Sequence, residues 1–251
     1  MTRVIKIGGR PQADPSLPML IAQSCEVSPK QTMIVHGGGD EISALQRAFG
    51  LTPQFVDGRR VTTDADIDII RMALSGVANK RMVAALTSCG LNAIGLSGED
   101  AGLIEARPID VEKLGHVGTP ARINVEFLKG LLSAGYVPVI SPVSRGVGGT
   151  SSIALNVNGD DAAAAVAVDV CAQELLLVVD VAGVMHDGAV VPDLDAELAQ
   201  QMLDEGTATG GMRAKLQAAV LAANAGVPRV RIGNINAVAD STIGTFVRGA
   251  S

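Results

Sequence analysis

Short β-branched runs alternate with Ala- and Leu-rich stretches along most of this 251-residue chain, and no feature constrains the fold more. We predict strands at Arg3–Ile7, Thr32–Val35, Asn92–Leu96, Val137–Ser141, Glu174–Val179 and Arg229–Ile232. We predict helices at Glu41–Phe49, Asp64–Ser88, Asn124–Ala134, Asp160–Val170, Ala196–Asp204 and Gly211–Ala225. Strands that alternate with helices form parallel sheets, because each helix returns the chain to the same end of the sheet. The prediction is an α/β fold with one continuous sheet, since no repeat or flexible linker interrupts the chain.

Composition excludes several classes of protein. The net charge of −6 and the pI near 5.1 argue against a nucleic-acid-binding surface, which needs a basic face. The longest uncharged run, Met82–Gly98, contains polar residues and falls short of a membrane span. Lys6 interrupts the N-terminal apolar run too soon for a signal peptide. We therefore expect a cytoplasmic protein without a membrane segment, whose three separated cysteines are buried thiols.

A long helix is predicted to begin at Asp64. Thr63 and Asp66 have the spacing of a capping box, and Asp64, Asp66 and Asp68 suit the positive end of a helix. We interpret these aspartates as helix-start charges rather than as metal ligands. Apolar residues recur at helical spacing along this helix and should be buried: Ile67, Ile70, Leu74 and Val77. Because the helix is longer than one small core can cover, its far end is a candidate subunit interface.

Three glycine clusters mark candidate anion-binding segments. They are Lys6-Ile7-Gly8-Gly9, His36-Gly37-Gly38-Gly39 and Gly210-Gly211-Met212-Arg213-Ala214-Lys215. Glycine lets backbone N–H groups approach an anion closely, and lysine adds a charge that can follow a phosphate. The central cluster is neither a dinucleotide fingerprint, since Ile42 stands where glycine is required, nor a Walker A loop. The combination predicts a site for a heavily phosphorylated ligand, although the central cluster alone could also be a tight turn.

Four further side chains are candidates, and most have a structural alternative. Asp160 either caps the helix that begins there or orients two lysines at a transferring phosphoryl group. Arg60 is either a clamp for a substrate carboxylate or a solvated surface arginine. Asp180 ends an apolar strand, at the edge where ligands bind in open α/β sheets. His36 is interpreted as structural rather than catalytic, because a lone histidine beside a turn is more often structural.

An ordered series of segments across nearly the whole chain resembles the amino acid kinase family. The first four segments are Lys6-Ile7-Gly8-Gly9, His36-Gly37-Gly38-Gly39, Gly58-Arg59-Arg60-Val61-Thr62 and Ala78-Asn79-Lys80. The remaining four are Gly115-His116-Val117-Gly118, Asn156-Val157-Asn158-Gly159-Asp160, Asp180-Val181-Ala182-Gly183-Val184 and Gly210-Gly211-Met212-Arg213-Ala214-Lys215. Each segment is weak evidence by itself, but the ordered set is strong. Within the family, the resemblance is to the enzymes that phosphorylate N-acetyl-L-glutamate.

The resemblance implies a fold and a set of roles. The fold would be a three-layer α/β/α sandwich in which residues 1–155 form an acetylglutamate-binding and dimerisation lobe and residues 156–251 an ATP-binding lobe. Lys6 and Lys215 would stabilise the transferring phosphoryl group, with Asp160 as their organiser. The implied acetylglutamate-binding residues are Gly37, Gly38, Arg60 and Asn156. The implied nucleotide-binding residues are Gly8, Gly9, Asp180, Gly183, Gly210, Gly211 and Met212.

The implied activity is ATP-dependent phosphorylation of the γ-carboxylate of N-acetyl-L-glutamate, the second step of arginine biosynthesis. Mg²⁺ would be held mainly by the nucleotide phosphates, without a protein metal site. Because Lys6 comes so early, the chain resembles the arginine-insensitive homodimers of the family. One alternative is a kinase of carrier-protein-linked aminoadipate or glutamate in lysine biosynthesis. Another is a catalytically silent regulator that binds a nucleotide or an amino acid on the same fold.

Two features depart from the family pattern. Arg10 stands where relatives commonly have a small or apolar residue, and it is predicted either to contact phosphate or to face solvent. The stretch from Arg10 to Lys30 contains four prolines and looks short for the usual long first helix.

Overall fold

One mixed sheet organises the computed structural model of the chain, which describes residues 1–27, 31–56, 58–147, 153–208 and 210–250. The strands of the described ranges are, in chain order, β1 (Thr2–Ile7), β2 (Gln31–His36), β3 (Phe55–Val56), β4 (Arg59–Arg60), β5 (Ala93–Gly98), β6 (Ile104–Pro108), β7 (Val117–Ile123), β8 (Val137–Gly146), β9 (Ala154–Val157), β10 (Glu174–Val178), β11 (Met185–His186), β12 (Ala189–Val190), β13 (Asp193–Leu194), β14 (Val230–Gly233) and β15 (Thr245–Val247). Within the described ranges, eleven strands share the main sheet, while β3–β4 and β11–β12 are separate small hairpins.

The main sheet is mostly parallel, as predicted. Its strand order is β13-β15-β14-β10-β1-β2-β8-β6-β7-β9, and β5 also pairs with β8. The antiparallel neighbours are β14–β15, β6–β7 and β8–β9. In the middle of the sheet, Lys6 of β1 lies between Val35 of β2 and Leu177 of β10. Lys6 is therefore at the carboxyl edge of the central strands, where open α/β sheets bind ligands.

Helices cover both faces of this sheet and make the fold an α/β/α sandwich. They are α1 (Leu17–Val27), α2 (Gly39–Ala48), α3 (Asp64–Ile70), α4 (Asn79–Ser88), α5 (Val111–Leu114), α6 (Val125–Ser133), α7 (Gly159–Asp169), α8 (Ala196–Asp204), α9 (Gly210–Asn224) and α10 (Asn236–Ala239). Buried residues of α6, α7, α8 and α9 pack together on one face, and those of α1, α4 and α10 on the other. Successive side chains of β1 point to opposite faces of the sheet, so Val4 packs on the first face and Ile5 and Ile7 pack on the second.

The predicted helix from Asp64 to Ser88 is an uninterrupted helical run made of α3, a π-helix at Arg71–Ala78 and α4. It begins with the predicted capping box between Thr63 and Asp66. The first three positions of the predicted apolar stripe are buried, but Val77 is 54% exposed in the single chain, so the core of this fold does not cover it. A π-helix bonds residue i to i+5, and this wider turn rotates Val77 outward and brings Ala78 to the core.

The proline-rich segment after β1 forms two short helical pieces. A 3₁₀ helix at Arg10–Ala13 precedes α1, which has only 11 residues. Pro18 is the second residue of α1, where the N–H that proline lacks would have no partner within the helix. Leu17 and Ile21 are fully buried against the sheet. A short first helix is thus anchored by apolar contacts in spite of its prolines.

The cysteines differ from the expectation drawn from composition. Cys171 is exposed, and Cys25 and Cys89 are partly exposed, so the prediction of buried thiols is wrong. Cys171 follows α7 with a φ of 55°, in the turn that ends this helix at the surface. Across the part of the chain that the structure describes, no helix is both long and apolar enough to cross a membrane.

Candidate active site

Two lysines and one aspartate meet at the centre of the sheet. Lys6 of β1 faces the layer that contains α7, and its Nζ lies 2.7 Å from Asp160 Oδ1. Both side chains are buried, with 6% and 5% exposure. Lys215 reaches the same carboxylate from α9, with its Nζ 3.4 Å from Asp160 Oδ2. One carboxylate therefore contacts both lysines, through a different oxygen in each case.

The cap of α7 is Asn158 rather than Asp160. Asn158 Oδ1 accepts a hydrogen bond from the Asp160 backbone N–H at 2.7 Å, and Asp160 lies within the first turn. A negative charge is favourable in that turn because the helix dipole is positive there. Of the two interpretations of Asp160, capping is excluded, and its carboxylate is directed at the lysines.

Burial and charge act in opposite directions on this cluster. Burial alone would raise the pKa of Asp160, but the charges of Lys6 and Lys215 outweigh it and hold that pKa below its usual value. Burial lowers the pKa of Lys6, an effect that Asp160 opposes and Lys215 reinforces. The carboxylate therefore stays ionised at neutral pH and holds the two lysine side chains close to one another.

Two cavities adjoin at the cluster. The hairpin-side cavity, of about 360 Å³, lies between the β3–β4 hairpin, α2 and the start of α7. The β10-side cavity, of about 490 Å³, lies over the carboxyl ends of β1 and β10. Four residues line both of them: Gly8, Gly9, Gly211 and Lys215. Ligands in the two cavities would thus meet beside Lys215 and the first glycine pair.

The hairpin-side cavity contains all four residues predicted to bind the acyl substrate. They are Gly37, Gly38, Arg60 and Asn156. At Gly38 a side chain would not fit, since a Cβ atom would lie 2.7 Å from Leu74 Cδ2. Asn156 is oriented by a hydrogen bond from its Nδ2 to Thr62 Oγ1 at 3.1 Å. Segments from β2, the hairpin and β9 therefore converge on one small volume.

Arg60 is buried, which excludes the solvated-surface interpretation. Its guanidinium donates hydrogen bonds to Gly39 O at 2.9 Å, to Ser43 Oγ at 2.8 Å and to Gln46 Oε1. The same group lies 4.7 Å from the centre of the Phe55 ring. Burial lowers the pKa of Arg60. These contacts fix a cation at the wall of the hairpin-side cavity, in a position to meet a carboxylate.

The β10-side cavity contains most of the residues predicted to bind the nucleotide. They are Gly8, Gly9, Asp180, Gly211 and Met212. Gly210 instead lines the hairpin-side cavity. Gly183 lines neither cavity and packs against Thr245 and Val190, where a Cβ atom would lie 2.6 Å from Thr245 Oγ1. Close packing therefore accounts for glycine at position 183.

Arg10 pairs with Asp180 at the edge of the β10-side cavity. Arg10 Nη1 lies 2.7 Å from Asp180 Oδ2, with side-chain exposures of 78% and 48%. The hydrogen bond from Arg10 lowers the pKa of Asp180. Both residues line the cavity, so Arg10 stands at its rim, with most of its side chain exposed.

His36 supports the central glycine cluster from within the core. It is fully buried, its Nδ1 lies 3.0 Å from Gly37 O, and its Nε2 lies 3.1 Å from Asn79 Nδ2. An amide nitrogen only donates, so Nε2 accepts and the proton is on Nδ1. Burial lowers the pKa of His36 to about 4, which keeps the ring neutral. These contacts agree with the structural interpretation of His36.

The family assignment follows from comparison with known proteins. Residues 1–234 match the amino acid kinase family. The chain belongs to this family. The acetylglutamate kinase of Geobacillus stearothermophilus is 42% identical to this amino acid kinase over 234 residues, which are 92% of this chain and 89% of the relative. That of Methanopyrus kandleri is 42% identical over 227 residues, 86% and 91% of the two chains.

A crystal structure of another protein has the same overall fold. A protein of Streptococcus mutans superposes on this amino acid kinase with a TM-score of 0.89 and 28% identity, over 98% of each chain. The predicted family and the predicted α/β sandwich are both confirmed.

Several residues that line the site of this amino acid kinase are not among those predicted from the sequence. They include Gly39, Ile42, Phe55, Leu74, Pro142 and Gly159. Gly39 and Gly159 stand within quoted motifs, so a signal for them was present. Phe55, Leu74 and Pro142 come from the hairpin, the π-helix and β8, and they carry no local mark of a binding site. Only the packing of those elements around the cavity identifies them.

Proposed function

We propose that this amino acid kinase transfers the γ-phosphoryl group of ATP to the γ-carboxylate of N-acetyl-L-glutamate. The product would be N-acetyl-L-glutamyl 5-phosphate, an intermediate of arginine biosynthesis. The similarity to acetylglutamate kinases supports the choice of acceptor. The observation that carries the proposal is the position of Asp160, which holds Lys6 and Lys215 where the two cavities adjoin.

The arrangement suits a direct transfer between two anionic ligands. The acyl substrate would occupy the hairpin-side cavity and the nucleotide the β10-side cavity. A γ-carboxylate is already ionised at pH 7, so its oxygen can attack the γ-phosphorus while the bond to the leaving ADP oxygen breaks. No proton has to be removed from the acceptor, and a catalytic base is unnecessary. What remains is alignment and neutralisation of charge in the transition state.

The residues around the cluster fit these two tasks. Lys6 and Lys215 would neutralise the phosphoryl oxygens in transfer, and Asp160 would hold both ammonium groups in place. Arg60 would clamp a carboxylate of acetylglutamate, aided by Asn156 and the backbone N–H groups of Gly37 and Gly38. On the other side, Gly8, Gly9, Asp180, Gly211 and Met212 would contact the nucleotide.

Mg²⁺ would neutralise part of the charge on the nucleotide phosphates. Within the described ranges, no three His, Cys, Asp or Glu side chains are grouped to hold a metal ion. Asp180 is the carboxylate in the lining of the β10-side cavity that would be available to such an ion.

We also propose a homodimer that functions in the cytoplasm. The apolar side chains of Met72 and Val77, 44% and 54% exposed on the π-helix, support an interface along the long helix. Light scattering of the purified protein tests this part of the proposal, and a monomeric mass would contradict it.

Trapping of the acyl phosphate with hydroxylamine tests the proposed reaction. The purified protein, ATP and Mg²⁺ would be incubated with acetylglutamate, glutamate, aminoadipate or carrier-linked aminoadipate, each with and without arginine. Hydroxamate should form with acetylglutamate far faster than with the other acceptors, and arginine should leave the rate unchanged. Absence of hydroxamate with acetylglutamate would overturn the proposal, and ATP binding without any turnover would indicate a silent regulator.

A further inference from the structure

Two functional residues of the site each have a sequence neighbour that takes part in an ion pair. Arg60 of the β3–β4 hairpin and Asp160 of α7 both line the hairpin-side cavity, where they are proposed to act on substrate and lysines. Their sequence neighbours, Arg59 and Asp161, form an ion pair with one another. The hairpin and the start of α7 are thus joined directly beside the two functional side chains.

The ion pair uses both terminal nitrogens of the arginine. Arg59 Nη1 and Nη2 each lie 3.3 Å from Asp161 Oδ2, across a separation of 102 residues in sequence. The side chains are 35% and 24% exposed. Burial raises the pKa of Asp161, and the neighbouring Arg59 opposes this rise. Arg59 is therefore the counter-charge that favours an ionised Asp161.

The Arg59–Asp161 ion pair lies in the wall of the hairpin-side cavity. Arg59 lines the hairpin-side cavity and also a separate cavity of about 410 Å³, which Asp161 and Gln217 of α9 line as well. On its other side the hairpin is held by Arg60, which bonds to Gly39 and Gln46 of α2. The hairpin is consequently fastened to α2 through Arg60 and to α7 through Arg59.

We propose that Arg59 and Asp161 are positioning residues that set the distance between the substrate clamp and the phosphoryl-transfer cluster. The inference rests on the proposed function of Arg60 and Asp160. Without the ion pair, the hairpin keeps its contacts with α2 and, through Thr62, with Gly115 and Asn156, but it loses its direct link to α7. The acyl substrate would then bind to an ensemble in which only part of the population has Arg60 correctly placed, which weakens its apparent affinity.

A kinetic comparison of Arg59→Leu and Asp161→Asn with the unmodified protein tests this inference. Each variant should raise KM for acetylglutamate about two- to fivefold, the range expected for a partly exposed ion pair. KM for ATP and kcat should stay nearly unchanged, because neither residue lines the β10-side cavity and Lys6 and Lys215 form their ion pairs with Asp160. The double variant should be no worse than either single variant, since both remove the same interaction.

Two further measurements separate positioning from a loss of folding. The exchanged pair, Arg59→Asp with Asp161→Arg, should restore KM towards its original value. High salt should raise KM of the unmodified protein and narrow its difference from the variants, because salt screens a partly exposed pair. If Arg59→Leu does not fold, Arg59→Lys, which keeps the charge with a different geometry, should show a smaller rise in KM.

An ion pair away from both ligand cavities provides the matched control. Arg248→Leu and Asp193→Asn remove a similar pair near the carboxyl terminus and should leave all kinetic constants unchanged. Unchanged KM in the Arg59 and Asp161 variants, strictly additive effects, or a fall in kcat as large as the rise in KM would overturn the inference. If the unmodified protein does not phosphorylate acetylglutamate at all, the proposed function has failed instead.

Discussion

At the residue scale, the distribution of charge around Asp160 explains why this carboxylate is buried. A lone buried carboxylate is unfavourable, but here each oxygen meets an ammonium group, and the helix dipole of α7 adds to their effect. Lys6 and Lys215 come from different elements and would repel each other at this site without the shared counter-charge. The residue therefore has a structural and a proposed catalytic task at the same time.

Replacement of Asp160 by Asn distinguishes this arrangement from a simple cap. We expect kcat to fall by about 100-fold, as when other groups that stabilise transition-state charge are lost. We expect the free energy of unfolding to fall by about 3 kcal/mol, because Lys6 is left buried without its partner. Asp195, the cap of α8, provides the control, and Asp195→Asn should leave turnover unaffected. Full activity of Asp160→Asn would show that the carboxylate is not needed by the lysines.

His36 predicts a specific dependence of stability on pH. Its pKa is 6.5 in the unfolded chain and about 4 in the folded protein, so between these values only the unfolded state takes up the proton. The contribution of neutral His36 to the free energy of unfolding is therefore complete above pH 6.5. It is lost as the pH falls towards 4, which lowers the free energy of unfolding by up to about 3 kcal/mol. Denaturant unfolding at several pH values should show this slope, and His36→Gln should reduce it. An identical slope in the variant would contradict the prediction.

At the scale of elements, the junction of the π-helix with α4 connects the sheet to the site. Asn79, the first residue of α4, is fully buried, and its Nδ2 contacts Val139 O of β8 at 2.8 Å and His36 at the end of β2. The wide turns of the π-helix bring Leu74 beneath Gly38 just before this junction. The shape of the hairpin-side cavity thus depends on a helix whose irregularity could not be recognised from periodicity.

Gly95 tests how tightly this junction is packed. A Cβ atom at Gly95 of β5 would overlap Asn79 Oδ1 and lie 2.9 Å from Val83 Cγ2. We expect Gly95→Ala to lower the free energy of unfolding by about 2 kcal/mol or more, as overpacked sites do. Gly130 of α6 has open space around it, so Gly130→Ala should be neutral or stabilising by about 0.5 kcal/mol. Chemical denaturation measures the free energy of unfolding of both variants, and equal values would contradict the prediction.

At the scale of the whole molecule, the two proposed lobes share one sheet. β10 from the second lobe pairs with β1 from the first along Arg3–Ile7, and β1 also contributes Lys6 to the site. Both cavities are lined by residues of both proposed lobes, so the site lies along their shared border. Main-chain hydrogen bonds across this border couple the stability of the two halves.

Calorimetry can examine this coupling. We expect a single unfolding transition, with calorimetric and van't Hoff enthalpies in agreement, because neither half can keep its sheet intact alone. Acetylglutamate with a non-hydrolysable ATP analogue should raise the temperature of this transition while it stays a single peak. A ligand present at 100 times its Kd should raise the free energy of unfolding by about 2.7 kcal/mol. Two resolved transitions, or a stable proteolytic fragment that ends near residue 155, would show independent lobes.

The sequence by itself determined the types and order of the main elements, the α/β class and the family. These depend on local periodicity, on caps such as Thr63–Asp66 and on motifs, all of which are short-range properties of the chain. The motifs also selected Lys6, Asp160 and Lys215, which the structure brings together, although their catalytic roles stay proposals. The sequence could not decide whether Asp160 caps a helix or contacts the lysines, or whether Arg60 is buried or exposed.

Tertiary structure decided what depends on contacts between distant segments. It showed that Asp160 contacts both lysines, that Arg60 is buried and that Val77 is exposed. It also revealed the Arg59–Asp161 and Arg10–Asp180 pairs, whose members are 102 and 170 residues apart. No local pattern encodes such contacts, because they exist only after strands and helices have packed. The same packing creates the two cavities on either side of Lys215.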